Sequence, residues 1–187
     1  MPQLTAWANF YVIVGSSAGA LIGLTFVVIT LLAQIRLREA EVGVAAFTTP
    51  SVVHFGTVLL LAAILAAPWP ALAPPAVLLG LCGLAGMPYT VIVIRRELRL
   101  ETYDVVMEDW LWYGACPSIA YAALLVAAFL LPGSPAPVLF VIGGAMLLIL
   151  FLGIHNAWDV VTYLVTEHMA PQNEQTGQDE RQDETKE

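Results

Sequence analysis

Charged residues are scarce in this chain. They make up 12% of its 187 residues, about half of the roughly 25% that soluble proteins carry. Hydrophobic residues make up 59%, and the mean hydropathy is +0.79. The shortage of charge excludes a large soluble catalytic domain, and seven Lys and Arg residues are too few and too scattered for a nucleic-acid surface. We therefore expect a protein whose main partner is the lipid bilayer.

Cysteine is also scarce, with only Cys82 and Cys116, and both lie in apolar segments where a thiol packs as a small hydrophobe. We expect no disulfide between them, because the topology below places them at different depths. No zinc-ligand spacing, nucleophile elbow or cofactor fingerprint is present. The sequence therefore predicts no cofactor, and we expect the protein not to be an enzyme.

Long apolar runs dominate what remains. A membrane-spanning helix needs about 20 mostly apolar residues, and five candidate runs meet that requirement approximately. We predict an all-α integral membrane protein, a bundle of five transmembrane helices that occupies residues 1–169. The predicted spans are 7–35, 50–67, 74–94, 110–131 and 138–165.

Basic residues predict the orientation, because cytoplasmic loops carry an excess of Lys and Arg. All of them follow the first, third or fifth span, which places the N-terminus outside and the C-terminus inside. We expect a bacterial-type inner membrane. The seven residues are Arg36, Arg38, Arg95, Arg96, Arg99, Arg181 and Lys186.

Proline marks both outer connections, so spans two and three, and spans four and five, are predicted to form antiparallel hairpins. Thr49 is predicted to cap the N-terminus of span two, with Pro50 in the first helical position. Pro117 is predicted to bend span four near its inner end, either as a packing kink or as a hinge beside a cavity.

The last residues of the chain are acidic. Six of the 15 Asp and Glu residues fall within the final 14 positions. We predict that residues 170–187 form a disordered cytoplasmic tail, since residues 171–187 lack apolar side chains that could join a core. A solvated tail is the simpler interpretation, and a docking segment for a basic cytoplasmic partner is the alternative.

Span one carries Gly15, Gly19 and Gly23 at four-residue intervals. This spacing is typical of a helix face on which another backbone packs closely. The partner is either a helix of the same chain or a second subunit, and the sequence leaves both open.

Polar residues gather at the predicted inner ends of the spans. Ionisable groups inside a membrane usually face the protein interior or a functional site, and His and Asp can relay protons or bind a divalent cation. The metal, if any, is unknown, and an interfacial His–Asp pair that only orients span five is the simpler alternative. We expect the pair at 155 and 159 to contact His54 or the span-four aromatic residues. The candidate residues are His54, Asp109, Tyr113, His155, Asn156, Asp159 and Thr162.

The predicted function is that of a small scaffold or accessory membrane protein, which acts through helix packing, as a possible homo-oligomer, and through cytoplasmic or membrane protein contacts. An oligomeric channel or proton/cation pathway is the alternative. It is weaker because the outer halves of spans two to five are almost purely apolar.

Overall fold

The computed structural model describes residues 2–34, 41–97 and 110–168, and the regular structure in them is helical. Asp109 and the predicted tail, 170–187, lie outside the described residues. The elements in chain order are α1 (Pro2–Thr5), α2 (Ala8–Gln34), α3 (Glu41–Ala66), α4 (Ala73–Glu97), a π-helical segment (Trp110–Ala115), α5 (Cys116–Leu130) and α6 (Pro135–His168).

In the described part of the chain, four helical stretches are long and apolar enough to cross a membrane, and the prediction of an all-α chain with candidate membrane-spanning helices is confirmed to this extent. The apolar part of α3, Pro50–Ala66, is shorter than the usual 20 or so residues. The four stretches are Ala8–Thr30, Ala73–Arg95, Trp110–Leu130 and Pro135–Asp159.

Helix α3 lies at the centre of the packing, with α2 along one side and α6 along another. Helix α6 packs in turn on α5, and α5 packs on α4, which touches α3 over a smaller area. The contact between α3 and α4, which correspond to the predicted spans two and three, is therefore minor, since α4 packs mainly against α5. We call the end of the bundle that carries Arg95 the arginine end, and the end with the proline-rich connections 67–72 and 131–134 the proline end.

A stripe of buried side chains along α6 explains how this helix packs against both α3 and α5. Its residues recur every three or four positions, the spacing that keeps side chains on one helix face. The stripe is apolar along most of the helix and ends in a buried amide at the arginine end. It consists of Val138, Ile142, Ala145, Ile149, Leu152 and Asn156.

Two glycines of α4 allow α5 to approach closely. A Cβ atom at Gly83 would lie 2.9 Å from both the backbone oxygen of Tyr121 and the backbone nitrogen of Leu125. A Cβ atom at Gly86 would overlap the Tyr121 ring. Small residues therefore bring these two backbones together, as they commonly do between membrane helices.

The glycine stripe of α2 divides into two parts. A Cβ atom at Gly15 would lie 2.8 Å from the Cβ of Ala62 on α3, so this glycine packs within the chain. A Cβ atom at Gly19 or Gly23 would meet no other atom of the described residues within 4 Å. Packing within the chain thus accounts for only the first of the three glycines.

Two expectations about proline need correction or refinement. Pro50 lies inside α3, which begins at Glu41, so the predicted helix start at Thr49 and Pro50 is wrong. Neighbouring helices can compensate for the hydrogen bond that proline removes in a membrane helix, which makes an interior position tolerable.

Pro117 lies in the first turn of α5, directly after the π-helical segment. The wider π turn accommodates the proline ring, which would clash with a carbonyl in a regular helix.

We expect Gly83→Ala to lower the free energy of unfolding by about 1–3 kcal/mol, because the added methyl group must push two backbones apart. Gly144→Ala on α6 is the matched control, since its Cβ has nothing within 4 Å. The control should be neutral or slightly stabilising, as alanine favours a helix over glycine. Reversible unfolding in detergent measures both, and equal stability of the two variants would contradict the close α4–α5 contact.

Candidate functional site

The arginine end of the bundle holds a closely packed pocket between α3, α4, α5, α6 and the π-helical segment. It brings together three of the predicted site residues from three different elements. In this conformation the pocket leaves no space as large as a water molecule. Its lining is Pro50, His54, Tyr89, Thr90, Val93, Tyr113, Pro117 and Asn156.

His54 lies on the buried face of α3 and is 3% exposed. Its Nδ1 is hydrogen-bonded to the Tyr121 hydroxyl at 3.1 Å, and its ring meets the Tyr89 ring edge-on with centroids 6.3 Å apart. The Gly86 backbone makes room for Tyr121, so the close α4–α5 contact positions the partner of His54.

Asn156 is the most buried polar residue of the pocket, with 0% of its surface exposed. Neither its Oδ1 nor its Nδ2 has a hydrogen-bond partner among the described protein atoms. An unpaired amide in an apolar interior costs about 1–3 kcal/mol on mutational scales. This amide is therefore the least satisfied group in the described core.

Asp159 lies one turn further along α6 and is partly exposed. The Tyr113 hydroxyl donates a hydrogen bond to its Oδ2 at 3.1 Å, and the His155 Nε2 lies 3.4 Å from the same oxygen. The His155 ring stacks on Trp112, with ring centroids 4.1 Å apart. The expected contact of this pair with the span-four aromatic residues is present, whereas His54 pairs with Tyr121 instead.

The remaining candidates contribute less. The Thr162 hydroxyl donates to the carbonyls of Trp158 and Asp159 in its own helix, and the residue is exposed. Among the described residues no three His, Cys, Asp or Glu side chains lie close enough to hold a metal ion. The Ser118 hydroxyl donates to the Gly114 carbonyl in the π-helical segment.

Tyr121 is a site residue that was not predicted from the sequence. It follows Pro117 by four positions and therefore lies on the same helix face, which is the signal that could have found it. Likewise, Asn156 continues the α6 stripe four residues after Leu152, so its burial follows from the apolar periodicity.

A second cavity, an apolar groove of about 240 Å³, lies between α2, α3 and α6. Ser51 is 1% exposed there, and its Oγ has no hydrogen-bond partner among the described atoms. The groove is lined by Leu21, Leu24, Thr25, Val28, Ile29, Ser51, Phe55, Ile154, Ala157 and Trp158.

The chain has no match among protein-family models, curated proteins or solved structures. Any assignment of function therefore depends on the residues and geometry described above.

We expect a double-mutant cycle of Tyr113→Phe and Asp159→Ala to give a coupling free energy of about 1 kcal/mol, because the hydroxyl–carboxylate bond is lost in either variant. Asp159 is partly exposed, so solvent should keep this coupling free energy below that of a buried hydrogen bond to a carboxylate. The control cycle pairs Tyr113→Phe with Thr30→Val on α2, whose hydroxyl donates to the carbonyls of Phe26 and Val27 in its own helix, and should give coupling near zero. Equal coupling in the two cycles would contradict the Tyr113–Asp159 bond.

Proposed function

We propose that the protein is a five-span membrane protein that serves as a scaffold or accessory subunit, and that it assembles through the face of α2 that carries Gly19 and Gly23. The observation that carries this proposal is the open space at these two glycines. Close packing needs small residues because lipid supplies no hydrophobic force between helices.

The position of α2 in the bundle supports this proposal. Its main neighbour is α3, and it is the least buried of the four candidate spanning stretches. The large side chains that flank the two glycines are exposed, so a second helix could pack against the same face. These side chains include Val12, Ile13, Phe26 and Val27. A second copy of the chain is the proposed partner, and another membrane protein is the alternative occupant of this face.

A fifth span follows if α3 crosses the membrane together with its N-terminal extension from Glu41. Five spans and the distribution of Lys and Arg give an outside N-terminus, an inside C-terminus and a bacterial-type inner membrane as the proposed location. The acidic tail would then lie on the cytoplasmic side, where it is free to contact a basic partner.

A proton or cation pathway is the second candidate, favoured by the buried pocket around His54 and Asn156. A complete pathway needs polar groups across the whole membrane. The proline half of the core is instead filled by large apolar side chains with at most 2% exposure: Leu61, Leu65, Leu79, Leu131, Leu139 and Ile142. We therefore favour the scaffold function over conduction.

Reporter fusions test the proposed topology. Fusions at Pro70 and Ser134 should report the outside, and a fusion at Leu100 should report the inside. An inside report at Ser134 would contradict the five-span arrangement.

Oligomer assays test the proposed assembly face. We expect the double variant Gly19→Leu and Gly23→Leu to reduce the oligomeric fraction in native mass measurements while the unfolding temperature stays unchanged, since a Cβ atom at either site would meet no other helix of the described chain within 4 Å. Ser17→Leu, on the opposite side of α2, is the matched control and should leave the oligomer intact. Gly15→Leu should lower the unfolding temperature instead, because Gly15 packs on Ala62. An unchanged oligomer distribution in the double variant would overturn the proposal.

A further inference from the structure

We propose that Asn156 is the centre of a water-binding site that fills from the arginine end of the bundle and links the Asp159–Tyr113 pair to the His54–Tyr121 pair. The proposal concerns the interior of the bundle and stands independently of the assembly face on α2.

The lining of the pocket indicates the ligand. Its polar groups are an amide, an imidazole and hydroxyls, and no carboxylate, ammonium or guanidinium group lies among them. A neutral molecule that both donates and accepts hydrogen bonds is complementary to such a set. Water fits this description and is the smallest candidate, so the site needs the least rearrangement to accept it.

The side-chain amide of Asn156 also supports a water site, because it is polar, fully buried and unpaired among the described protein atoms. Every other position of the α6 stripe holds an apolar residue, whereas this fully buried position holds a side chain with two donor hydrogens and one acceptor oxygen. Both polar atoms lack a partner among the described protein atoms, although the amide lines the pocket. A leucine would satisfy the packing alone, so the amide gains from a ligand that enters the pocket.

The pocket must widen to admit water, because it holds no water-sized space in this conformation. Tyr113 provides the connection to the surface, since its side chain lines the pocket and its hydroxyl donates to Asp159 at the partly exposed arginine end. Tyr113 belongs to the π-helical segment, an irregular turn that is typical of functional positions in helices. Separation of Tyr113 from Asp159 is therefore the step that opens the site.

Access is one-sided because the pocket is closed on the side of Asn156 that faces the proline end. Phe55 and Leu152 are both 0% exposed at the next turn, and a Cβ atom at Gly153 would lie 2.5 Å from the Phe55 ring. Water that enters from the arginine end thus reaches the His54–Tyr121 pair but not the apolar half of the core.

Amide exchange measured on the full chain in lipid nanodiscs tests the proposal. The protein is labelled with ¹⁵N-asparagine, and the Asn156 side-chain resonances are identified by their absence in Asn156→Leu. We expect magnetisation transfer from water to these amide hydrogens and their replacement by deuterium in D₂O. An Asn156 amide that shows no transfer and stays protonated as long as the backbone core would overturn the proposal.

The opening step is tested by Tyr113→Phe, which removes the bond to Asp159 and keeps the ring. Loss of one hydrogen bond of typical net strength shifts the equilibrium between the closed and open pocket by about fivefold to tenfold. The hydrogen-exchange rate at the Asn156 amide should rise by the same factor. Thr30→Val is the control, since Thr30 donates within α2, a helix that contributes no residue to the pocket lining, and it should leave the rate unchanged. Equal exchange rates in Tyr113→Phe and the parent protein would refute the proposal that separation of Tyr113 from Asp159 opens the site. Faster exchange in the control variant as well would show that the effect is not specific to this bond.

Discussion

The packing of α6 against α3 and α5 is the contact on which the rest of the structure depends. One stripe of α6 supplies buried side chains from the proline end to the arginine end, and its apolar part fixes the helices around it. The same stripe then carries a buried amide into a pocket shared with four other elements. The geometry that stabilises the bundle therefore also places Asn156 where a polar ligand is needed.

The bundle divides into two halves with different chemistry. Large aliphatic side chains fill the proline half, and dispersion between these closely packed groups stabilises it. The arginine half holds an imidazole, an amide and several hydroxyls among the same helices. Pro50, Pro117 and the π-helical segment all lie in this second half, so irregular backbone and polar side chains coincide there.

Much of this arrangement follows from the sequence. Hydropathy predicted an all-helical chain with candidate membrane spans. The convergence of polar residues at one level predicted that His155 and Asp159 would contact His54 or the span-four aromatic residues, and the structure shows the aromatic contacts, with Trp112 and Tyr113. Helix neighbours were less predictable, because apolar faces of Ala, Leu and Val fit one another in many ways, and α4 packs on α5 rather than mainly on α3. The glycine spacing in α2 predicted a close contact, but only the structure separates Gly15, which packs on Ala62, from Gly19 and Gly23. The four-residue spacing from Pro117 could have marked Tyr121 as a site residue, but its pairing with His54 depends on the close α4–α5 approach.

Proton flux across proteoliposomes shows whether the polar interior opens at one end only. Vesicles with a pH gradient and a fluorescent interior indicator are compared with and without reconstituted protein. We expect the same rate of proton leak in both, because the apolar half of the core blocks passage. A flux that rises with the amount of protein, and that His155→Ala abolishes while insertion is unchanged, would contradict one-sided access and favour a conducting pathway.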